Sequence, residues 1–237
     1  MPSLSFLIHW RYNRKNNLTP FIKEDSVMTE QQKNRIAAAY EKNNMKLTFL
    51  KAEDSIASVL SSRIPEGSVV SFGGSVTLEE CGALDSLRKM DQAGRIHLLD
   101  RDRPGLSRIE VEELFRRTFS ADVYLTSTNA MTEDGWLFNV DGNGNRVSAM
   151  IFGPKKVLVF AGENKLVANK AAAEDRVRRI AAPKNAARLK RNTPCVKTGH
   201  CMACHSSERI CCSSVFLGQQ REVGRIEIIL MEGSFGY

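Results

Sequence analysis

The sequence lacks any apolar run that approaches the roughly 20 residues needed for a membrane-spanning helix. Its amino terminus, residues 1–15, also lacks the long apolar stretch and the small-residue cleavage pattern of a secretory signal. It contains no internal repeat and no low-complexity tract. From these absences we expect a cytoplasmic protein with no membrane segment.

Acidic residues are the scarcer charge, since 27 Asp and Glu compare with 34 Lys and Arg, giving a net charge of +7. The cationic excess is concentrated between residues 155 and 209. Such a surface attracts a small carboxylate or another anionic ligand, although a solvated helix surface is the simpler explanation. Phe160 is the one aromatic residue among these charges, and this scarcity argues against nucleic acid as a partner.

Cysteine is rare outside one segment. Cys81 stands alone, and the other five cysteines are Cys195, Cys201, Cys204, Cys211 and Cys212. In a cytosolic protein such clustering favours metal or redox chemistry over structural disulfides. Two thiolates in one turn bind a single metal, and Cys195 and Cys211 join Cys201 and Cys204 to complete a tetrahedral set of four sulfurs. The simpler alternative is reduced thiols that pack as small apolar residues.

Strand patterns alternate with helix patterns, which favours an α/β fold with an open, mostly parallel sheet and helices on both faces. We expect an α/β domain over residues 28–192 and a cysteine-rich tail over 193–237, whose last strand packs on the same domain. Residues 1–27 show no usable period and are interpreted as a disordered extension or as residues before the true start. A β-hairpin is expected from strands 136–140 and 146–152 around a Gly/Asn-rich turn, with strand 157–161 beside it.

A glycine-rich loop follows a predicted buried strand. Gly73 and Gly74 let the backbone approach a ligand closely, and Ser75 and Thr77 are candidates to touch the ligand or to cap the next helix. A tight turn with Ser75 as N-cap explains the same residues equally well. The loop is neither a dinucleotide fingerprint nor a P-loop, because it lacks the third glycine of one and the Gly-Lys-Ser/Thr of the other.

Polar residues also end later strands. Glu133 is a candidate base or nucleophile, and Lys165 is a candidate charge partner for a carboxylate. Asn129, Thr132 and Asn164 are candidate ligand-binding residues, the two amides being suited to orient a carbonyl. Turns and helix caps explain each residue taken singly. Because parallel strands end at the same sheet edge, these residues and the glycine loop together predict a ligand site there.

Four segments carry a resemblance to a known family. They are residues 73–78 (GGSVTL), 128–135 (TNAMTEDG), 142–147 (GNGNRV) and 152–157 (FGPKKV). In this order they resemble the LUD domain of lactate-utilisation proteins, over roughly residues 29–237. The resemblance implies a fold similar to the sugar-phosphate isomerase and coenzyme A transferase group. It also implies an accessory or subunit role in oxidising lactate or a related hydroxy acid to the keto acid, with partner proteins that carry iron–sulfur clusters.

The carboxyl-terminal region resembles a branch in which a stand-alone LUD domain carries a cysteine-rich tail, which leaves a direct lactate role open. Zinc and an iron–sulfur cluster use the same thiolate ligands, and the cysteine spacing fits neither common ferredoxin pattern. The resemblance favours the cluster because it implies electron transfer; zinc is the alternative. Two other functions stay open. One is an enzyme of the isomerase or acyl-transferase type with Glu133 as base or nucleophile. The other is a non-catalytic protein that senses metal or redox state.

Overall fold

The computed structural model describes residues 8–12, 18–22 and 28–237. The chain divides into two units, Met1–Asn34 and Arg35–Tyr237. In the first unit, strand β1 (Ile8–Tyr12) pairs antiparallel with strand β2 (Leu18–Ile22). Most of the amino-terminal extension lies outside the described residues, so its interpretation as disordered or preceding the true start stays a prediction.

The remaining elements alternate along the chain much as the sequence patterns do. The strands are β3 (Lys46–Leu50), β4 (Val69–Phe72), β5 (His97–Leu99), β6 (Val123–Ser127), β7 (Ala130–Thr132), β8 (Leu137–Asp141), β9 (Lys156–Gly162), β10 (Leu166–Val167), β11 (Ser213–Leu217) and β12 (Ile226–Met231). The helices are α1 (Glu30–Lys42), α2 (Ile56–Arg63), α3 (Val76–Glu80), α4 (Ala83–Gln92), α5 (Arg108–Arg117), α6 (Asn145–Ile151), α7 (Lys170–Arg176), α8 (Ala182–Arg188) and α9 (Pro194–Thr198).

Six strands form a central sheet in the order β3-β12-β9-β6-β4-β5, and every neighbouring pair is parallel. This confirms the predicted α/β class with an open, mostly parallel sheet. The apolar run Val157–Ala161 in β9 is fully buried, as expected for a parallel strand that is covered on both faces. Helices α2, α3 and α4 pack on one face around side chains such as Leu60, Leu87 and Phe160.

A second sheet has the strand order β10-β7-β8-β11. Strands β7 and β8 form an antiparallel hairpin, and β11 pairs antiparallel with the other edge of β8. Phe138 and Phe216 stack across that pair with ring centroids 4.2 Å apart. The cysteine-rich segment leads into β11, so this pairing anchors its carboxyl end to the domain. Within the described part of the chain, no helix is long and apolar enough to cross a membrane.

The prediction of a strand over residues 146–152 is wrong, because Asn145–Ile151 forms helix α6. The backbone of Gly144 has a φ of +79°, a left-handed conformation that turns the chain into the helix. The Asp141 carboxylate then accepts hydrogen bonds from two backbone N–H groups of the first turn, at 3.0 and 3.1 Å. These bonds satisfy donors that a helix start leaves without an intrahelical partner. Strand β9, expected beside this hairpin, lies in the central sheet instead.

Candidate functional site

A cavity of about 330 Å³ lies at the carboxyl edge of the parallel sheet, where the residues following β4, β6 and β9 meet. This is the edge at which open α/β sheets bind their ligands. Five residues predicted from the sequence line it: Gly74, Ser75, Thr77, Asn129 and Lys165. Four other predicted residues do not line it: Gly73, Thr132, Glu133 and Asn164.

The glycine loop forms one wall of the cavity. A β-carbon added to Gly73 would lie 2.5 Å from the hydroxyl oxygen of Tyr124, so glycine is needed for the loop to pack on this buried tyrosine. Gly74 faces Arg101, with 3.6 Å between an added β-carbon and the guanidinium Nη1. The Ser75 hydroxyl accepts a hydrogen bond from the backbone N–H of the third helical residue of α3, at 3.3 Å. Ser75 therefore caps the helix and also lines the cavity.

Lys165 lies deep in the cavity, with 3% of its surface exposed. Its Nζ donates to the hydroxyl oxygens of Thr77 at 2.7 Å and Ser127 at 2.9 Å. A third hydrogen bond, of 3.1 Å, goes to the backbone carbonyl of Thr128. None of these acceptors is a carboxylate, so the positive charge has no close counter-charge among them.

The surroundings of Lys165 favour its neutral form. Burial is the largest cause, followed by the charges of Arg176 and Arg146, and together they lower the pKa of Lys165 from 10.5 to about 7. Glu80 and Cys81 act in the opposite direction and are outweighed. A large fraction of Lys165 is therefore an uncharged amine at neutral pH, unlike a lysine in water.

Positive charge dominates the cavity lining. The lining contains four arginines, Arg101, Arg146, Arg188 and Arg191, in addition to Lys165. Among the described residues, Asp141 is the one acidic side chain in the lining, and its carboxylate is engaged by the start of α6. A concave site lined by one sign of charge attracts ions of the other sign. Arginine suits a carboxylate in particular, because guanidinium presents parallel N–H donors.

Arg146 is held rigidly by neutral acceptors. Its Nη1 donates to the Ser127 carbonyl at 3.0 Å and to the Asn139 amide oxygen at 2.6 Å. Its Nη2 donates to the amide oxygen of Asn129 at 3.2 Å. The Asp141 carboxylate lies farther away, 3.9 Å from Nε. Arg146 therefore joins three chain segments and contributes its charge to the cavity.

Arg101 differs from Arg146 in its surroundings. Its guanidinium donates no hydrogen bond to any of the residues that the structure describes. Its Nε is buried without a hydrogen-bond partner there. The Asp102 carboxylate lies 3.4 Å from Nε, in a geometry that makes no hydrogen bond. The guanidinium also lies over the ring of Phe115, 4.7 Å from its centroid. Its two terminal nitrogens, Nη1 and Nη2, are therefore available to an anion in the cavity, whereas Nε is buried.

Sequence reasoning missed both of these arginines. Arg101 stands in a charged segment, residues 100–107, whose composition is typical of any solvated loop, so no local signal singles it out. Arg146 stands in the GNGNRV segment that carries part of the family resemblance, which was the one available signal. Because residues 146–152 were predicted to form a strand, the position of Arg146 at the start of a helix was not foreseen.

The predicted amide and threonine residues bind the protein's own backbone. The Asn129 amide oxygen accepts a hydrogen bond from a backbone N–H of β8 at 2.7 Å. The Asn164 side chain donates to the carbonyl of Gly236 at 3.1 Å. Thr132 is buried and its hydroxyl accepts from the Trp136 N–H at 2.9 Å, which closes the β7–β8 turn. Of these three, only Asn129 lines the cavity.

Glu133 is placed away from Lys165. Its carboxylate forms an ion pair with Arg35 at 2.6 Å, and the two side chains are 36% and 61% exposed, respectively. Its backbone N–H donates to the Val167 carbonyl at 2.9 Å, beside β10. Because Glu133 does not line the cavity, the structure does not bring the two predicted catalytic residues together. A base or nucleophile role for Glu133 stays a prediction.

The four cysteines predicted to bind a metal interact electrostatically. Burial raises the pKa of the Cys211 thiol, and the charges of Cys201, Cys195 and Cys204 raise it further, to about 11. Arg209 fixes the segment by donating to the backbone carbonyls of Cys211 and Cys204, both at 2.8 Å. We call these four residues the four-cysteine cluster.

The donor chemistry of this cluster fits a thiolate-bound metal. Within the described residues, no three His, Cys, Asp or Glu side chains form a ready-made metal site. Four thiols within one segment of 17 residues, 195–211, are nevertheless a ligand set that soft metals select. A bound cation would reverse the mutual repulsion that raises the Cys211 pKa. Cys212 is exposed, and its thiol donates to the Arg209 carbonyl at 3.6 Å.

The cysteine-rich segment also forms part of the cavity wall. Ile210 lines the cavity, and its carbonyl oxygen lies 3.5 Å from the position of a β-carbon on Gly142. The backbone N–H of Cys212 donates to the Asp141 carbonyl at 2.9 Å. The residues on both sides of Cys211 therefore contact the segment that leads into α6.

The chain is similar to known proteins over most of its length. A family model described as LUD domain matches residues 33–231. A DUF162 family protein from Deinococcus radiodurans has a similar solved structure, with a TM-score of 0.47, 11% identity, and coverage of 88% of this chain and 100% of that chain. Ribose 5-phosphate isomerase from Plasmodium falciparum has a TM-score of 0.32 and 11% identity, with coverage of 48% and 51%. Ribose 5-phosphate isomerase A from Methanocaldococcus jannaschii has a TM-score of 0.31 and 14% identity, with coverage of 48% and 52%. No curated protein matches the chain.

Proposed function

The chain belongs to the LUD domain family, and we propose that it is an accessory protein or subunit in the oxidation of lactate or a related hydroxy acid to the keto acid. Its part is to bind the small carboxylate in the cationic cavity. The observation that carries the proposal is that four arginines line the cavity, Arg101, Arg146, Arg188 and Arg191, against one acidic side chain of the described residues, Asp141. We propose a cytoplasmic setting, since clustered free thiols are typical of a reducing compartment.

The cavity suits a small organic acid in size and chemistry. Its volume of about 330 Å³ is at the lower end of the range for small-molecule sites. Arg101 offers guanidinium donors to the carboxylate beside the glycine loop. Lys165 and the Ser127 hydroxyl are more deeply buried, where they suit the hydroxyl or carbonyl oxygen on the neighbouring carbon.

Calorimetric titration with lactate and with pyruvate tests this proposal. Both anions should bind the wild-type protein, and more weakly at high ionic strength because charge carries the attraction. Arg101→Gln should weaken binding about tenfold, which corresponds to a loss of about 1.4 kcal/mol. Arg108→Gln is the matched control, because Arg108 is exposed on α5 and pairs with Glu112 at 3.0 Å. It should bind as the wild type does.

Inorganic phosphate is the competing probe, because it shares the charge of a carboxylate but not its planar geometry. Phosphate binding without binding of either carboxylate would contradict the proposal. Equal carboxylate affinities in the wild type and in Arg101→Gln would contradict the assigned cavity.

We also propose that the four-cysteine cluster holds an iron–sulfur cluster that exchanges electrons with iron–sulfur partner proteins, with zinc as the alternative. The four thiols lie in one segment, residues 195–211, whose backbone Arg209 fixes at Cys204 and Cys211, and this supports a shared site. Iron–sulfur chemistry would supply the electron transfer that oxidation of a hydroxy acid requires. Zinc would supply stability to the segment and no electron transfer.

Metal and acid-labile sulfide analysis of protein purified without oxygen separates these two metals. Iron with sulfide that is lost in Cys201→Ser/Cys204→Ser and retained in Cys212→Ser supports the iron–sulfur cluster. Zinc without sulfide, lost in the same double variant, supports a structural metal. Protein that holds no metal after anaerobic purification would contradict the metal centre.

A further inference from the structure

The amino group of Lys165 is placed as a nucleophile and not as half of a buried ion pair. It lines the cavity, and its hydrogen-bond partners are two hydroxyls and one carbonyl. A lysine buried for stability is normally paired with a carboxylate, since an unpaired buried charge is costly. Burial without such a partner favours the neutral amine. This form has two N–H donors for three partners, so one of the two hydroxyls turns to donate to Nζ, and turning that hydroxyl away frees the lone pair to attack a carbonyl carbon.

The charged groups around Lys165 also favour a neutral, nucleophilic amine. Arg176 and Arg146 disfavour a further positive charge beside them, and Glu80 and Cys81 oppose this effect without cancelling it. Burial and these charges bring the pKa of Lys165 to about 7. Amines with such a pKa are the ones that enzymes use to form imines with carbonyl substrates.

We propose that Lys165 forms an imine with the carbonyl carbon of a 2-oxo acid in the cavity, so that the site holds the keto acid by a covalent bond as well as by charge. This inference rests on the proposed function, because it concerns the ligand class of the same cavity. The cationic side chains bind the carboxylate, and the neighbouring carbonyl is then presented to Nζ.

The step balances without an oxidant. The amine attacks the carbonyl carbon to form a C–N bond, and the oxygen takes up one N–H proton to give a carbinolamine. The hydroxyl then leaves with the remaining N–H proton as water, and the C=N bond forms. The hydroxyls of Ser127 and Thr77 are hydrogen-bonded to Nζ and lie 3.3 Å from each other, so they are placed to relay these protons.

Borohydride trapping with pyruvate tests the proposal. Borohydride delivers hydride to the imine carbon and fixes a secondary amine, which adds the mass of pyruvic acid less one oxygen atom. Peptide mapping by mass spectrometry should find this adduct on Lys165 and not on the exposed Lys184. The yield should rise as pH increases through about 7, where the amine loses its proton. Lactate has no keto group and should give no adduct.

Two variants complete the experiment. Lys165→Met and Lys165→Arg should each abolish the adduct, and melting curves establish that each is folded. Calorimetric binding of pyruvate to the wild type without an adduct on Lys165 would overturn the inference and leave the proposed function standing. An adduct of equal yield on exposed lysines would overturn it as well. No binding of pyruvate would remove the proposed function, and the inference with it.

Discussion

Two buried charged side chains are stabilised in different ways. Glu227 is 1% exposed, and its carboxylate lies 2.7 Å from Arg63, 3.1 Å from Lys156 and 3.4 Å from Lys46. Lys165 is buried almost as completely, but hydroxyl and carbonyl oxygens accept its hydrogen bonds. A buried charge with several counter-charges is typical of a structural ion network, whereas a buried amine without one, in a cavity, is typical of a functional site.

The lowered pKa of Lys165 predicts that its burial becomes less costly as pH rises. The unfolded chain keeps the proton up to the usual pKa of 10.5, whereas the folded protein releases it near 7. Between these values the unfolded state binds more protons, so stability rises with pH. Compared with Lys165→Met, the wild type should gain on the order of 2 kcal/mol between about pH 7 and 9. Chemical denaturation over this range measures the difference, and a constant difference would contradict the lowered pKa.

The lowered pKa of Glu227 predicts that its contribution to stability depends on pH in the acidic range. Burial raises its pKa, but hydrogen bonds from Arg63 and Lys156 outweigh that effect and lower the pKa from 4.5 to about 2. Glu227→Gln should therefore lose on the order of 3 kcal/mol at neutral pH. The loss should be full above the unfolded pKa of 4.5 and should shrink as pH falls toward 2. Denaturation at several pH values measures it, with the exposed Glu41→Gln as control. Identical pH profiles for wild type and Glu227→Gln would argue against the ion network.

At the scale of elements, local sequence pattern predicts buried strands better than it predicts how the chain turns between them. The apolar run Val157–Ala161 predicts a buried strand, and β9 contains it. Residues 146–152 do not form the predicted strand, because α6 depends on the Asp141 carboxylate and the Gly144 backbone. The Asp141 hydrogen bonds and the left-handed Gly144 backbone arise in the folded chain, and the spacing of apolar residues along the sequence does not reveal them.

The candidate site also contains residues that local sequence pattern predicts and residues that it does not. Lys165 and Asn129 could be predicted because each follows a strand pattern of the sequence, and strand ends carry ligand sites. Arg101 follows β5, and it reaches the cavity because β5 pairs with β4 at the sheet edge. That pairing joins residues far apart in sequence, so no local window contains it.

The glycine loop gives a prediction at the same scale, because its two glycines have different neighbours. In Gly73→Ala the new β-carbon would lie 2.5 Å from the Tyr124 hydroxyl and 3.0 Å from Cγ of Arg146. We expect a loss of about 1–3 kcal/mol of stability from this overpacking. Carboxylate binding should weaken as well, since Arg146 must move. Gly74→Ala is the matched control for stability, because its β-carbon would be in ordinary contact with Arg101 at 3.6 Å. Thermal denaturation and calorimetric titration of both variants measure the two effects, and equal stability would contradict the close packing at Gly73.

At the scale of the whole molecule, the cavity and the four-cysteine cluster are connected through adjacent residues of one segment. Ile210 lines the cavity next to Cys211, and the Cys212 N–H bonds the Asp141 carbonyl at 2.9 Å. At the other end of the segment, the Cys201 N–H donates at 2.8 Å to the carbonyl of Arg178, in the π-helical turn that follows α7. A metal that draws the four sulfurs together would therefore act on a wall of the cavity.

This connection predicts that metal and carboxylate bind cooperatively. Metal loading should order the segment around Ile210 and favour one shape of the cavity, so removing the metal with a chelator should weaken pyruvate binding severalfold. By thermodynamic reciprocity, pyruvate should slow or reduce the loss of metal by the same coupling free energy. Calorimetry on loaded and stripped protein measures the first effect, and metal release to a chelator at increasing pyruvate measures the second. Cys212→Ser should retain the coupling, because its thiol lies outside the four-cysteine cluster and its backbone bond to Asp141 is unchanged. Equal pyruvate affinity in both forms would show that the two sites are adjacent in the chain but not coupled in free energy.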